Sequence, residues 1–203
     1  MTVLLPRLMV VTDRRMAGDL PRVLAAAVEG GARLVLFREK DLAPAERLAL
    51  IRQLPAGLRL ILGTDDPDAD ASLAEGIGAV GLHLSAASRS RRGAGNGVRW
   101  GRSCHSVRDV RAARDQGAAW ATLSPIWATR SKPGYGPALG LGPLRSLPAL
   151  PTYAFGGIGP SRAAACIAAG ATGIAVMGAV MRARDPGAVV RGLLAELGET
   201  VRA

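Results

Sequence analysis

The chain is poor in the residues that build covalent frameworks, stacking surfaces and membrane spans. Of its 203 residues only two are cysteine and 3% are aromatic. Cys104 and Cys166 are far apart in sequence, so their spacing fits neither a disulfide framework nor a metal site, and reduced thiols are expected. The scarcity of aromatic residues removes the stacking platforms that bind single-stranded nucleic acids. Apolar runs end well short of the roughly 20 residues that span a bilayer, which favours a cytoplasmic protein with no membrane partner.

Acidic residues are also in the minority, and lysine is nearly absent. There are 16 Asp and Glu against 26 Lys and Arg, which gives a formal net charge of +10. Lys40 and Lys132 are the only lysines, and the arginines are spread along helix-like segments instead of forming one basic block. This distribution argues against nucleic acid as the partner and leaves small anionic ligands open.

A repeated pattern predicts alternating helices and strands. In four segments a helix-like run ends in glycine and is followed by an apolar run: EGGARLVLFRE, GIGAVGLHLS, DQGAAWATLSP and AAGATGIAVMG. Glycine after a helix adopts the left-handed cap, and an apolar run suits a strand buried on both faces. Four further strands, which bring the total to eight, are predicted within residues 7–13, 58–65, 98–106 and 151–158.

Amphipathic segments between these strands predict the crossover helices. Apolar residues recur at spacings of three and four in residues 19–30, 43–54, 107–117, 160–170 and 186–197. Eight strand–helix units predict a single α/β domain, residues 1–203, with the architecture of a (β/α)8 TIM barrel. A doubly wound open sheet is the alternative, since periodicity does not reveal closure. In both folds ligands bind at the carboxyl ends of the strands.

Charged side chains follow the second and third predicted strands. Arg38 and Lys40 are two residues apart in FREK, so they project to the same side and suit a diphosphate. Asp65 and Asp66 offer carboxylates for a Mg²⁺ ion shared with substrate phosphates. Asp66 stands before Pro67, however, which is also the pattern of a helix cap. The sequence predicts an anion site with Mg²⁺ as a candidate cofactor.

Both histidines follow later strands. His105 lies in a polar cluster with Ser103 and is a candidate for substrate contact. His83, between Leu82 and Leu84, is more typical of a packed core histidine. No nucleophile triad and no zinc spacing accompanies them, which leaves hydrolase and zinc-enzyme functions without support.

The glycine-rich segment AFGGIGPS predicts a phosphate site. Gly156 and Gly157 allow backbone N–H groups to approach an oxyanion, and the helix that follows has a partial positive charge at its start. Simple helix capping is the alternative. Loops after strands seven and eight commonly bind phosphate in barrels, which favours a phosphate and adds Met177 and Gly178 at the end of strand eight.

The segment SPIWATRSKPGYGP, residues 124–137, follows the sixth predicted strand. It carries hydroxyls at Thr129 and Ser131 and a cation at Lys132, and its glycines and prolines suit a mobile lid. This cationic, hydroxyl-rich loop lies with the other strand ends at which the site is expected.

Six stretches distributed over nearly the whole chain together resemble the thiamine phosphate synthase family, which includes a thiazole tautomerase branch. They are VVTD, FREK, GRSCHS, SPIWATRSK, AFGGI and GIAVMGAV. The resemblance implies a (β/α)8 barrel in which hydroxymethylpyrimidine diphosphate is joined to a thiazole phosphate. It also implies Mg²⁺ as cofactor and the release of pyrophosphate.

Carried over position by position, the resemblance divides the site into two parts. The diphosphate would be bound by Arg38, Lys40, Ser103 and Lys132, and Mg²⁺ by Asp65. The thiazole phosphate would be held by Thr129, Ser131 and the backbone of Gly156 and Gly157.

The chain also departs from the pattern of that family. Leu36 stands where a pyrimidine-binding Gln is usual, Thr64 replaces an Asn, and residues 86–88 read Ala-Ala-Ser in place of Gln-Glu-Asp. Pro125 stands where the tautomerase branch carries a catalytic His. A tautomerase-like enzyme acting on a carboxythiazole phosphate, or a non-catalytic thiazole-phosphate binder, is therefore the alternative to a synthase. The sequence is compatible with a homo-oligomer.

Overall fold

Eight parallel strands form a closed barrel in the computed structural model, which describes residues 5–88, 90, 97–129 and 137–199. Each strand pairs with the next in sequence, and the eighth pairs with the first. The strands are β1 (Leu8–Val11), β2 (Leu34–Phe37), β3 (Arg59–Thr64), β4 (Gly81–Leu84), β5 (Trp100–Cys104), β6 (Trp120–Leu123), β7 (Thr152–Phe155) and β8 (Gly173–Val176). All eight lie within the predicted segments. Closure confirms the (β/α)8 barrel over the open doubly wound sheet.

Helices in the described part of the chain connect the strands. They are α1 (Arg14–Ala17), α2 (Leu20–Glu29), α3 (Pro44–Ile51), α4 (Pro67–Gly76), α5 (Val107–Asp115), α6 (Pro160–Ala168), α7 (Gly178–Met181) and α8 (Pro186–Glu196). Five of them begin after a side chain that accepts backbone N–H groups of the first turn: Asp13, Asp19, Asp66, Ser106 and Asp185. Asp13, Asp66 and Ser106 each stand two residues after the end of a strand, so their helices start beside the carboxyl ends of β1, β3 and β5.

The structure adds three helices that amphipathic periodicity did not reveal. Helices α1 and α7 have only four residues each, which is too short for a recognisable apolar stripe. Helix α4 has the sequence PDADASLAEG, in which leucine is the only large apolar residue. The crossover from β6 to β7 contains a 3-10 helix, Gly142–Ser146, in its described part.

Glycines on three strands make room for the two largest fully buried side chains of the described residues, Trp120 and Tyr153. A Cβ at Gly81 would lie 2.9 Å from Trp120 Cη2, and a Cβ at Gly173 would lie 2.7 Å from Tyr153 Cε1. A Cβ at Gly101 would overlap the Trp120 indole nitrogen. Because real Cβ contacts are not this close, the glycines are required by packing at these positions.

Among the described residues, no helix has both the length and the apolar character that crossing a bilayer demands.

Candidate active site

A cavity of about 500 Å³ opens at the carboxyl ends of the strands. Its size is that of a small-molecule site. It brings together ten of the residues that sequence analysis assigned to the site: Arg38, Lys40, Asp65, Ser103, His105, Thr129, Gly156, Gly157, Met177 and Gly178. The other two, Ser131 and Lys132, lie outside the described residues. Placement in one cavity is what the predicted roles require, and the roles themselves stay predictions.

Positive charge dominates the described lining of this cavity. Arg38, Lys40, Arg162 and Arg182 face it, and Asp65 is the single carboxylate among the described lining residues. The guanidinium of Arg38 forms no side-chain hydrogen bond or ion pair with any described residue, while its backbone N–H donates to Thr12 Oγ1 at 2.8 Å. The backbone of Arg38 is thus held in place while its charged side chain faces the cavity. This arrangement favours an anionic ligand.

Lys40 and Asp65 form an ion pair at the edge of the cavity. The Lys40 ammonium lies 2.7 Å from Asp65 Oδ1 and 2.6 Å from Oδ2, and the Ser85 hydroxyl also donates to Oδ1. Burial raises the pKa of Asp65, but the hydrogen bonds from Lys40 and Ser85 outweigh it, so this pKa lies below its ordinary value. Asp65 is therefore a carboxylate at neutral pH.

The described lining of the cavity offers one carboxylate, that of Asp65, as a ligand for Mg²⁺. No cluster of three or more Asp, Glu, His or Cys side chains within the described ranges could hold a metal ion. Asp66 caps α4 by accepting from the N–H groups of Asp68 and Ala69, and Glu39 accepts from Arg14. Because Mg²⁺ commonly binds one or two carboxylates together with substrate phosphates, Asp65 suits an ion held chiefly by the substrate.

His83 lies beneath the cavity on β4 and is 4% exposed. Its Nδ1 accepts a hydrogen bond from the Trp120 indole at 3.0 Å, and its Nε2 lies 3.1 Å from Ser103 Oγ. Burial lowers the pKa of His83 to about 3, with smaller contributions from Arg38 and Lys40. The ring is neutral and built into the barrel floor, as expected for a packed histidine.

We expect His83 to make the folded state sensitive to acid. Its pKa is about 3 when folded and 6.5 in the reference state, so the unfolded chain binds the proton first as pH falls. This contribution to stability is complete above pH 6.5 and is lost on going toward pH 3. Its loss between pH 7 and pH 5 should be about 2 kcal/mol of unfolding free energy. Urea unfolding of wild type and His83→Gln at both pH values measures it; equal pH dependence in the two proteins would contradict the assignment.

His105 also faces the cavity, from the end of β5. Its Nδ1 lies 2.8 Å from the carbonyl oxygen of Ser124. A carbonyl only accepts, so His105 donates the Nδ1 hydrogen to Ser124. This hydrogen bond orients the ring beside the cavity that it lines, which suits a role in contacting the substrate.

Gly156 and Gly157 pack against the loop that leaves β6. Both have positive φ values, 96° and 66°. The Ile126 N–H donates to the Phe155 carbonyl and the Trp127 N–H to the Gly156 carbonyl, at 2.9 and 3.1 Å. The glycines thus position the loop that carries Thr129 beside the cavity.

Two cavity arginines were missed by sequence reasoning. The Arg162 side chain donates to the Gly157 carbonyl at 2.6 Å and lies over the Trp127 ring, 5.0 Å from its centroid. The Arg182 guanidinium lies against Gly178, where a side chain would overlap it. Arg162 is the third residue of α6 and Arg182 follows α7, so their positions at helix ends near the strand termini were the available signal.

The positions that depart from the family pattern carry apolar side chains or, as at Thr64, a hydroxyl that already forms a hydrogen bond. Leu36 is buried and borders a small space beneath Arg38. Thr64 Oγ1 accepts from the Asp66 N–H at 2.9 Å. Ala86 and Ala87 line the cavity without a carboxylate. Pro125, at the end of β6, has no titratable group for the tautomerase chemistry.

The fold and the site together define a class: a (β/α)8 barrel with a cation-rich cavity for a small anionic ligand at the carboxyl ends of its strands. A family model described as thiamine monophosphate synthase matches residues 8–180. The chain therefore belongs to the thiamine monophosphate synthase family.

Individual relatives agree with this assignment. The chain is 40% identical to a thiamine biosynthesis bifunctional protein ThiM/ThiE of Symbiobacterium thermophilum; the match covers 87% of this chain but only 38% of that protein. It is 36% identical to a thiamine-phosphate synthase of a Roseiflexus species, over 95% of this chain and 85% of that one. A solved thiamine phosphate pyrophosphorylase of Pyrococcus furiosus shares the fold, with a TM-score of 0.76, 24% identity and 95% coverage of both chains.

Proposed function

We propose that this protein is a thiamine-phosphate synthase, a transferase that joins hydroxymethylpyrimidine diphosphate to a thiazole phosphate. Family membership supports the reaction, and the carrying observation in the structure is the cavity in which four described cations face one carboxylate. A ligand pair with a diphosphate and a phosphate supplies the negative charge that such a cavity needs. A single barrel domain, residues 1–203, would hold the whole site.

The diphosphate occupies the side of the cavity formed by β2, β3 and β5. Arg38 binds it through its planar guanidinium, Lys40 turns from Asp65 toward it, and the Ser103 hydroxyl donates to it. Lys132, which lies outside the described residues, is a further proposed ligand of the diphosphate.

The thiazole phosphate occupies the side formed by β6, β7 and β8. Thr129 and Ser131 donate hydroxyl hydrogen bonds to it, and the backbone of Gly156 and Gly157 approaches its oxygens. Met177 and Gly178 close this side of the cavity.

The bond changes need stabilised charge more than a strong base. The bond between the pyrimidine methylene carbon and the diphosphate oxygen breaks, and pyrophosphate leaves with the electron pair. The thiazole nitrogen then donates its lone pair to the methylene carbon and forms the new C–N bond. Arg38, Lys40 and Lys132 neutralise the departing charge, and His105 contacts the substrate.

Asp65 would hold Mg²⁺ jointly with the diphosphate. When bound, the ion supplies additional neutralisation of the leaving group. One protein carboxylate should make this binding depend strongly on the substrate.

The substitution Asp65→Asn should raise the Mg²⁺ concentration needed for half-maximal rate. We expect at least about a tenfold rise, which corresponds to about 1.4 kcal/mol of lost attraction. Asp68→Asn is the matched control, because Asp68 lies exposed in the first turn of α4. Identical Mg²⁺ dependence in the two variants would remove Asp65 from the metal site.

Product formation tests the proposed activity. Purified protein is incubated with hydroxymethylpyrimidine diphosphate, thiazole phosphate and Mg²⁺, and thiamine phosphate and pyrophosphate are quantified by chromatography. We expect both products in equal amounts, and none when either substrate is omitted. Failure to form thiamine phosphate while thiazole phosphate still binds would overturn the synthase proposal and leave a tautomerase or a non-catalytic binder.

A further inference from the structure

We propose that Trp120 is a positioning residue that sets, through His83, the direction in which the Ser103 hydroxyl donates. This inference rests on the proposed function, because it concerns how Ser103 meets the diphosphate. Sequence analysis assigned no role to Trp120 and placed His83 in the core. The structure connects both of them to a residue of the cavity wall.

The indole determines which nitrogen of His83 carries the hydrogen. Trp120 Nε1–H is only a donor, and it lies 3.0 Å from His83 Nδ1, which must therefore present its lone pair. The two rings are nearly parallel, with an interplanar angle of 14° and centroids 6.4 Å apart. The indole N–H meets Nδ1 at an ordinary hydrogen-bond distance, which fixes Nδ1 as the acceptor.

A neutral imidazole has one ring hydrogen, so His83 carries it on Nε2. Burial keeps the ring neutral, and the nearby cations Arg38 and Lys40 act in the same direction. Nε2 lies 3.1 Å from Ser103 Oγ and 3.4 Å from Thr122 Oγ1. The shorter contact makes Ser103 Oγ the principal acceptor of the Nε2 hydrogen.

Accepting from His83 leaves the Ser103 hydroxyl hydrogen available to the cavity that this residue lines. An oxygen of a diphosphate can then accept it. With the opposite tautomer of His83, the Ser103 hydrogen would point to Nε2, and a serine lone pair would face the anion. The indole thus turns Ser103 into a donor toward the ligand.

The barrel is packed specifically to admit this indole. Gly101 leaves the space that Trp120 Nε1 occupies, and Gly81 lies beside Cη2. Gly101 pairs with both His83 and Trp120 in the sheet, so the strand register brings the donor and the acceptor into contact. Two glycines, one tryptophan and one histidine form the arrangement.

Trp120→Phe removes the indole N–H and tests the inference with inorganic pyrophosphate as the probe. Calorimetry should show pyrophosphate binding weakened roughly tenfold to a hundredfold, the value of one hydrogen bond to a charged group. Trp100→Phe is the matched control, because it truncates another buried barrel tryptophan, on β5. We expect the control to bind as wild type does.

A double-mutant cycle separates positioning from general damage. In a Ser103→Ala background, Trp120→Phe should cause no further loss of pyrophosphate affinity, because the hydroxyl that Trp120 directs is gone. Additive losses in the double variant would overturn the inference. Steady-state kinetics supply a second readout, since KM should rise for the diphosphate substrate and stay unchanged for the thiazole phosphate.

Nitrogen-15 NMR of the two histidine rings tests the tautomer without any variant. Wild-type His83 should carry its hydrogen on Nε2, and an Nδ1–H signal would overturn the inference even if Trp120→Phe failed to fold. If the wild-type protein binds no pyrophosphate, that result would instead contradict the proposed function. It would also contradict the inferred hydrogen bond from Ser103 to the diphosphate. Pyrophosphate binding in Trp120→Phe equal to that of wild type would contradict the inference alone.

Discussion

Replacing Arg38 by alanine should lower kcat/KM for the diphosphate substrate by about 10²–10³-fold, the usual cost of removing one group that stabilises developing charge. Its guanidinium faces the cavity and forms no side-chain hydrogen bond or ion pair with another described residue. Its charge is therefore available to the departing pyrophosphate. The backbone bond to Thr12 does not involve the side chain, so the end of β2 should keep its position in the variant.

Two further variants complete this test: Arg38→Lys separates the charge of Arg38 from its shape, and Arg52→Ala is the control. Arg38→Lys keeps the charge but loses the planar fork, and we expect an intermediate kcat/KM. Arg52→Ala removes an exposed arginine after α3, at the opposite end of the barrel, and should behave as wild type. Steady-state kinetics with the diphosphate varied gives all three values. If Arg38→Ala and Arg52→Ala have the same kcat/KM, Arg38 does not bind the leaving group.

Gly157→Ala should cost about 10²-fold in kcat/KM for the thiazole phosphate, a loss typical of catalytic groups displaced by about 1 Å. Gly157 has φ 66°, which alanine adopts only with strain, and the new Cβ would lie 2.7 Å from the Ala128 carbonyl oxygen. The loop that carries Thr129 would have to move away. The backbone N–H groups proposed to approach the phosphate would move with it.

Gly159→Ala is the control for this prediction. Gly159 has φ −133°, and a Cβ there would meet no atom within 4 Å. The two variants add the same methyl group two residues apart, and only Gly157→Ala should raise KM for the thiazole phosphate. Thermal unfolding followed by circular dichroism checks that both retain the fold. A Gly157→Ala enzyme as active as Gly159→Ala would show that this backbone does not position the phosphate.

The position of much of the cavity lining was predictable from the sequence because strand ends are local features. The apolar runs and the glycines that follow helices located all eight strands. Arg38, Asp65, Ser103 and Gly157 could be placed from the residues that directly follow or end those strands. Because the barrel strands are parallel, their carboxyl ends lie at the same end of the barrel. Residues predicted at separate strand ends therefore line one cavity.

Partnerships across the barrel were not predictable. Asp66 was a candidate metal ligand and a candidate cap, and its hydrogen bonds to the first turn of α4 decide for the cap. Arg162 and Arg182 line the cavity from helix ends. Arg162 directly follows the predicted phosphate segment AFGGIGPS, but the segment itself does not show that the arginine side chain reaches the cavity. Short helices such as α7 lack the length that makes periodicity informative.

The sequence by itself determined the repeating unit, the number of strands and the side chains placed at their ends, since these depend on periodicity and capping within a few residues. Only the tertiary structure decided barrel closure and the contact of Trp120 with His83, 37 residues apart, and of His83 with Ser103, 20 residues apart. Such contacts depend on the register of neighbouring strands and on side-chain rotamers, and both are properties of the packed barrel.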